Sequence, residues 1–434
     1  MTAASGLGLE DPDDAPIVEG GSAEISRGDL KRQSDLLLAK LKAHAVQRAV
    51  VCSDNPIDIL RAIDASSRAG SDLFIAHTNI PAEYLEETIE QFGIQLRIGN
   101  HDEVLSAGPA RHVASSRIYM MTSGTTGRPK IAAHNLESLL SRIRAVTLVP
   151  ANREGKWLLT YQPTGFAGVQ VILTALLTRG VLVVPEQRTP AGFYKAALQS
   201  QVTQISGTPT FWRSFLMASQ PGALDLRQIT LGGEAVDQAT LDRIKATFPK
   251  ARITHIYAST EAGVVFAVHD GIEGFPKAWL DQPIQAVQLR VMDGFLHIKT
   301  PNAMRGYLTE ALQPLQEDGW LATADRCEVL GERVRIVGRQ DSTINVGGSK
   351  VYPLAVETFL LSLPGVVEAR VFGTPNPITG SLVAAEVVLE QGSQADEARA
   401  RILAACRQQL AGYQVPRVFK IVDSIEVRAS GKKG

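Results

Sequence analysis

The sequence predicts an α/β protein with a large layered N-terminal domain built on mostly parallel sheets, followed by a small α+β domain. The 434-residue length exceeds what one compact core usually supports. From about residue 29 to about residue 336, strand-like and helix-like stretches alternate, which implies parallel sheets covered by helices on both faces. After residue 338, short apolar strands surround two helices, so we expect domains at 1–338 and 339–434.

Local patterns place the elements of both domains. Strands are predicted at 49–52, 73–76 and 118–121, and in the small domain at 366–372, 382–389 and 418–422. Helices are predicted to begin at Asp29, Pro56, Pro81, Pro353 and near Ala395.

Composition excludes several classes of protein. The 44 Lys and Arg residues balance 45 Asp and Glu, which gives no electrostatic attraction to nucleic acid or an anionic membrane. Cys52, Cys327 and Cys406 are widely spaced, as in a chain without a disulfide framework. Residues 1–21 lack the features of a signal peptide, and residues 165–185 predict a buried helix and strand, not a membrane span. We therefore expect a cytoplasmic protein.

A polar loop follows the apolar strand at 118–121. In order, its residues are Thr122, Ser123, Gly124, Thr125, Thr126, Gly127, Arg128, Pro129 and Lys130. Glycines that expose backbone N–H groups, hydroxyl donors and two cations suit a polyphosphate. An ordinary polar turn is the alternative. The common P-loop is excluded, because its glycines are five apart and a Ser or Thr follows its lysine.

A second polar segment, Tyr257 to Gly263, also follows a predicted strand. Glu261 is a hard oxygen ligand suited to Mg²⁺, Thr260 offers a hydroxyl to a phosphate, and Tyr257 offers a flat face to a base. The alternative is a helix start, since Ser or Thr followed by Glu commonly caps a helix. Ligands gather outside the carboxyl ends of strands, so this segment and the first loop are expected to share a crevice.

The nine-residue loop resembles the phosphate-binding loop of the adenylate-forming (ANL) superfamily, which contains acyl-CoA synthetases, aryl-CoA ligases, luciferases and peptide-synthetase adenylation domains. Matching segments follow in the family order at 232–234, 257–261, 318–325, 338–353 and 430–432. The resemblance implies a large body and a small mobile lid domain, with ATP and Mg²⁺ bound between them.

The resemblance also implies roles for individual residues. Cofactor binding falls to Thr122, Ser123, Gly124, Thr125, Thr126, Gly127, Gly233, Glu234, Tyr257, Ala258, Ser259, Asp325 and Arg339. Lys432, Thr260 and Lys130 are the implied catalytic residues, Glu261 the Mg²⁺ ligand and Asp341 the hinge. A carboxylate such as Asp325 can accept both hydroxyls of a ribose diol.

The chain departs from the family pattern at three positions. Ala324 and Ala355 replace a usual Gly and a usual Glu, and Gly165 stands where relatives carry a His or, for amino-acid substrates, an Asp. Without a carboxylate to pair an ammonium group, an amino-acid substrate is disfavoured. The residues Phe166, Trp212 and Phe266 are candidates for an apolar acid pocket, with ordinary core packing as the alternative. The eight histidines lack metal-ligand spacing and receive no role.

These patterns predict an AMP-forming acid–thiol ligase. It would convert a carboxylic acid and ATP to an acyl-adenylate and then pass the acyl group to a thiol. Coenzyme A is the thiol we expect. One alternative is transfer to the phosphopantetheine of an acyl carrier protein. A second is a non-catalytic adenylate-fold protein that binds a nucleotide or a partner.

Overall fold

The structure, a computed structural model, describes residues 6–9, 14–20, 24–105, 116–122, 130–147, 153–308 and 318–426. The α-helices in these ranges are α1 (Arg27–Ala43), α2 (Pro56–Ala69), α3 (Ala82–Phe92), α4 (Leu136–Thr147), α5 (Phe166–Leu177), α6 (Pro190–Gln199), α7 (Pro209–Ala218), α8 (Gln238–Thr247), α9 (Pro353–Leu361) and α10 (Ala395–Gln409).

The first thirteen strands are β1 (Pro16–Glu19), β2 (Ile25–Ser26), β3 (Arg48–Val51), β4 (Asp72–Ile75), β5 (Leu96–Ile98), β6 (Glu103–Val104), β7 (Ile118–Thr122), β8 (Lys130–His134), β9 (Lys156–Leu158), β10 (Val181–Val183), β11 (Gln204–Gly207), β12 (Gln228–Leu231) and β13 (Arg252–Ser259). The remaining described strands are β14 (Gly263–Val268), β15 (Phe275–Pro276), β16 (Gln288–Met292), β17 (Phe295–Lys299), β18 (Leu321–Leu330), β19 (Arg333–Arg339), β20 (Ile344–Val346), β21 (Ser349–Val351), β22 (Val366–Asn376), β23 (Gly380–Leu389) and β24 (Val418–Ile421).

Two mostly parallel sheets form the large body, which confirms the predicted fold class. One has the order β6-β5-β3-β4-β7-β8, with antiparallel strands only at its described edges. The other has the order β14-β13-β12-β11-β9-β10-β1-β2, again with antiparallel edge strands. One apolar cluster joins residues of both sheets with helices α1, α2 and α5.

Helix α1 begins at Arg27, two residues before the predicted start. Ser26 caps it, because its hydroxyl accepts a hydrogen bond from the Asp29 amide at 3.1 Å. The Asp29 carboxylate accepts from the Ser26 amide at 3.0 Å in return. Asp29 is thus the third helical residue of a capping box and not the first residue of the helix.

The predicted alternation of strands and helices up to residue 336 is wrong beyond β13. Strands β15 to β19 form an antiparallel sheet of order β15-β19-β18-β17-β16. The reason is the length of the connections. Only Asp293 and Gly294 separate β16 from β17, and only Gly331 and Glu332 separate β18 from β19. A parallel neighbour needs a crossover of a dozen or more residues, so these strands can only return antiparallel.

The C-terminal segment contains the predicted α+β unit. Its sheet has the order β21-β20-β23-β22, with β24 parallel beside β23, and helices α9 and α10 contribute to its own apolar cluster. The division at residue 338 stays a prediction. None of the helices in the described ranges combines the length and apolar character that crossing a bilayer requires.

Candidate active site

Strand β13 and the turn after it organise the candidate site. Its last residues, Tyr257 to Ser259, pair with β14 across a bulge, and the chain reverses at Thr260 and Glu261. The Ser259 hydroxyl accepts a hydrogen bond from the Ala262 amide at 3.0 Å, which closes the turn. No helix starts here, so the helix-cap alternative for this segment is wrong.

Gly263 allows this reversal. Its φ is +68°, and a Cβ on it would lie 2.9 Å from the Asn302 carbonyl oxygen. The left-handed backbone and the close neighbour both favour glycine. The Met304 amide also donates to the Glu261 carbonyl at 2.7 Å, which ties the turn to the segment before residue 308.

The Glu261 carboxylate lies beside the end of the first loop. Its Oε1 accepts a hydrogen bond from the Tyr307 hydroxyl at 2.6 Å. Lys130 Nζ lies 5.3 Å from the centroid of the Tyr307 ring. Lys130 also pairs with Thr122 across β7 and β8, so both ends of the predicted phosphate loop are at this corner. Tyr307 therefore connects the loop to the predicted metal ligand.

His134, to which the sequence patterns assign no role, stabilises the turn through a hydrogen bond. Its Nε2 lies 2.8 Å from the Thr260 carbonyl oxygen, and because a carbonyl only accepts, Nε2 carries the proton. Burial lowers the pKa of His134 below its ordinary value, so the ring is neutral near pH 7. The two residues are 126 positions apart, and no local pattern indicates their contact.

Asp325, on strand β18, contacts β13 at Tyr257, before the turn. The Tyr257 hydroxyl donates to its Oδ2, and Arg339 Nη1 lies 3.4 Å from its Oδ1. Burial, followed by the neighbouring Asp325, raises the pKa of Tyr257 well above its ordinary value, so Tyr257 acts as a donor. Arg339 also pairs with Asp341 at 3.1 Å. The two predicted ribose-side residues and the predicted hinge thus form one network.

Glu234 occupies the turn after β12. Its Oε2 accepts hydrogen bonds from the amide and the hydroxyl of Thr210, at 3.1 and 2.7 Å. Gly233 beside it has a φ of +85°, a backbone angle that residues with a side chain rarely adopt. The N-terminus of α7 therefore fixes the carboxylate of the predicted adenine-side turn.

The predicted acid pocket needs a correction at two of its three residues. Trp212 is fully buried among the side chains of α6, α7 and α8, and its indole nitrogen donates to the Thr230 carbonyl. Phe266 is buried as well, stacked against the Tyr257 ring at a centroid distance of 5.3 Å. Both are core residues, since their faces are taken by neighbouring rings. Phe166 is half-buried beside the His134 ring, at 5.8 Å between centroids, and stays a candidate.

His77 is another side chain at this edge that the sequence patterns do not single out. Its Nδ1 lies 3.0 Å from the Thr164 hydroxyl, and its Cε1 would lie 3.8 Å from a Cβ at Gly165. It follows β4, whose carboxyl end faces the turn before α5. Space beside Gly165 is therefore occupied by a histidine from another element.

Part of the predicted site lies outside the described residues: Ser123, Gly124, Thr125, Thr126, Gly127 and Lys432, together with the Thr122 side chain. Within the described residues, Tyr307 links Lys130 to Glu261 at the turn after β13, and Tyr257 links Asp325 to the end of β13 itself.

The carboxylate oxygens of Glu261 fit a magnesium ion. Oε1 is held by Tyr307, and no hydrogen-bond partner of Oε2 is found in the part of the chain that the structure describes. Mg²⁺ in nucleotide sites is usually held by one or two carboxylates together with phosphate oxygens and water. The described residues contain no group of three His, Cys, Asp or Glu side chains placed to hold a metal ion.

The two mostly parallel sheets of the body and the small C-terminal sheet have the architecture of the adenylate-forming fold. Solved structures share the whole architecture: an anthranilate-CoA ligase, AuaEII, superposes with a TM-score of 0.80 at 17 % identity over 100 % of this chain and 96 % of that chain. ATP-bound MatB from Rhodopseudomonas palustris gives a TM-score of 0.78 at 22 % identity, over 99 % and 97 % of the two chains.

The chain belongs to the AMP-binding enzyme family. The family model matches residues 107–308, and that of the AMP-binding enzyme C-terminal domain matches 355–432. A feruloyl-CoA synthase from an Amycolatopsis species is 30 % identical, over 96 % of this chain and 94 % of that protein. The protein is thus an ATP-dependent, AMP-forming ligase, which excludes the non-catalytic alternative.

Proposed function

We propose that this ligase activates a carboxylic acid with Mg·ATP to an acyl-adenylate and pyrophosphate, and then transfers the acyl group to coenzyme A. The observation that carries the proposal is that β13 and its turn contact both groups of predicted site residues: Tyr307 lies between Lys130 and Glu261, and Tyr257 donates to Asp325. Coenzyme A is the acceptor we favour, because the feruloyl-CoA synthase is similar over nearly the whole chain.

The residues have separate tasks in the first half-reaction. The loop from Thr122 to Lys130 holds the β- and γ-phosphates, and Asp325 accepts the ribose hydroxyls with Arg339 beside it. Glu261 is the residue that would hold Mg²⁺, and the ion would neutralise negative charge on the phosphates. Tyr257, Ala258 and Ser259 line the adenine and α-phosphate side, opposite Gly233 and Glu234. Catalysis then depends on positioning and charge stabilisation, since phosphoryl chemistry requires little covalent help.

The second half-reaction needs a different arrangement of the C-terminal domain. Lys432 and Thr260 stabilise charge at the α-phosphate while the adenylate forms. Rotation of residues 339–434 about Asp341 then withdraws Lys432 and admits the thiol. Neutral groups border the candidate acid pocket at Thr164, Gly165 and Phe166, so we propose an acid without an ammonium group.

Acid-dependent exchange of labelled pyrophosphate into ATP, measured across aryl, short-chain and long-chain acids, tests this function. We expect exchange with at least one class of acid, and a thioester of the expected mass when coenzyme A is added. Consumption of the adenylate by a carrier protein but not by coenzyme A would overturn the proposed acceptor. Absence of exchange with every acid would overturn the activation step.

A further inference from the structure

Arg213, on helix α7, is a buried cation outside the nucleotide site, and its side chain is 4 % exposed. Each guanidinium nitrogen faces a different element. Nη2 donates to the Thr210 hydroxyl at 3.0 Å, Nη1 contacts Asp237 at 3.0 Å, and Nε contacts Glu368 at 3.4 Å. A planar guanidinium is rigid, so these three contacts fix one another's geometry.

One contact leads to the predicted adenine-side turn. Because Thr210 accepts from Arg213, its own hydroxyl proton points to Glu234 Oε2, 2.7 Å away. The first amides of a helix have no acceptor within the helix. The Thr210 amide, at the start of α7, donates instead to the same Glu234 oxygen at 3.1 Å. Arg213 therefore orients the Glu234 carboxylate through a single hydroxyl.

Another contact leads to the C-terminal segment. Glu368 lies on β22, in the sheet formed by residues after 343, and is 155 positions away from Arg213. Its Oε2 is also 3.5 Å from the Ser214 hydroxyl. Glu368 is buried at this contact. Its apolar neighbours on β22 belong to the core of the C-terminal sheet and not to the core around α7.

The charges make this contact reversible. Two carboxylates, Asp237 and Glu368, share one guanidinium. Asp237 is the N-cap of α8, so its 3.0 Å contact with Arg213 does not involve the C-terminal sheet. If the sheet moves away, Arg213 keeps a buried partner and Glu368 regains water, so neither charge is left buried and unpaired.

We propose that Arg213 is a positioning residue that couples docking of the C-terminal sheet, at Glu368, to the orientation of Glu234 at the nucleotide site. The coupling rests on the proposed function for the role of the Glu234 turn. It implies that nucleotide binding and the docked orientation of the C-terminal domain favour each other, as reciprocal linkage requires.

The test is a comparison of Glu368→Gln with Glu386→Gln. Glu386 lies on the neighbouring strand β23 and forms an ion pair with Arg370 at 3.5 Å, so it is a matched change of charge away from Arg213. Amide hydrogen exchange is measured first without nucleotide, on peptides covering residues 208–216 and 230–238. The dissociation constant for AMP is measured next.

We expect Glu368→Gln to raise exchange in both peptides about fivefold and to weaken AMP binding about fivefold, whereas Glu386→Gln matches the wild type. Thr210→Val should raise exchange at residues 230–238 without changing β22, and Thr210→Ser should restore it. Exchange in Glu368→Gln that equals that of Glu386→Gln overturns the coupling. A wild-type protein that does not bind AMP contradicts the proposed function instead, and the nucleotide-free exchange still decides the coupling.

Discussion

At the scale of single residues, Tyr307 is the side chain that links the phosphate loop to Glu261. Replacing it by Phe keeps the ring near Lys130 and removes the 2.6 Å hydrogen bond to the carboxylate. A hydrogen bond to a charged group contributes about 1.5–3 kcal/mol, so Glu261 should lose its fixed orientation. We expect Tyr307→Phe to raise the Mg²⁺ concentration for half-maximal pyrophosphate exchange about tenfold.

The matched control for Tyr307→Phe is Tyr194→Phe, a similar change on helix α6 that removes the hydrogen bond the Tyr194 hydroxyl accepts from the Gln220 amide. The control should leave the Mg²⁺ requirement unchanged. An equal Mg²⁺ requirement in wild type and Tyr307→Phe would show that the Tyr307 hydroxyl does not affect metal binding.

His134 predicts how stability depends on pH. Its folded pKa is lowered by burial, whereas in the unfolded chain it takes its ordinary value of 6.5. Between the lowered value and 6.5 the unfolded state binds more protons, so the free energy of unfolding rises with pH in that window and is constant above it. We expect urea unfolding to show lower stability at pH 5.5 than at pH 7.5.

A His134→Gln variant isolates this contribution. Its amide can still donate to the Thr260 carbonyl but does not titrate, so the difference in stability between pH 5.5 and 7.5 should shrink. An unchanged difference would mean that other groups, such as the half-buried His77 and the buried His255, whose pKa values are also lowered by desolvation, account for the whole effect.

At the scale of elements, the β13–β14 turn determines where Glu261 lies. Gly263→Ala adds a Cβ 2.9 Å from the Asn302 carbonyl at a φ of +68°. Gly271→Ala is the matched control, because its φ is +74° but no atom lies within 4 Å of the added Cβ. Both should lose about 1 kcal/mol of stability from the backbone conformation. Only Gly263→Ala should also lose pyrophosphate exchange by tenfold or more; equal exchange in the two variants would contradict the role of the turn.

The elements also show how far sequence reasoning reaches. Helices and strands with clear local periodicity, such as α2 with its Asn55 cap and α9 with Pro353, lie where predicted. Strands β15 to β19 were missed because their antiparallel order depends on the lengths of the connecting turns, which an alternation of strand and helix patterns does not show. The contacts of Tyr307 and His134 join residues 46 and 126 positions apart, which single-chain patterns do not contain.

The family motifs predicted more of the site than local chemistry did. Taken singly, Asp325 would be a solvated carboxylate, yet it is buried between Tyr257 and Arg339. Trp212 and Phe266 were the reverse case, since an aromatic side chain near a motif gives no information on whether it faces a pocket or the core.

At the scale of the whole molecule, the proposed catalytic lysine belongs to the C-terminal domain. We expect Lys432→Ala to depress pyrophosphate exchange by a factor of a hundred or more while ATP binding stays within about twofold. Lys433→Ala is the control in the same tail and should retain exchange. An unchanged exchange rate in Lys432→Ala would remove this lysine from the mechanism.

The convergence of distant segments on one nucleotide is tested most directly by a crystal structure with bound AMP. We predict that both ribose hydroxyls lie within hydrogen-bonding distance of the Asp325 carboxylate, with the adenine between the Tyr257 ring and the turn at Gly233. A nucleotide whose ribose makes no contact with Asp325, or one bound away from β13, would contradict the site.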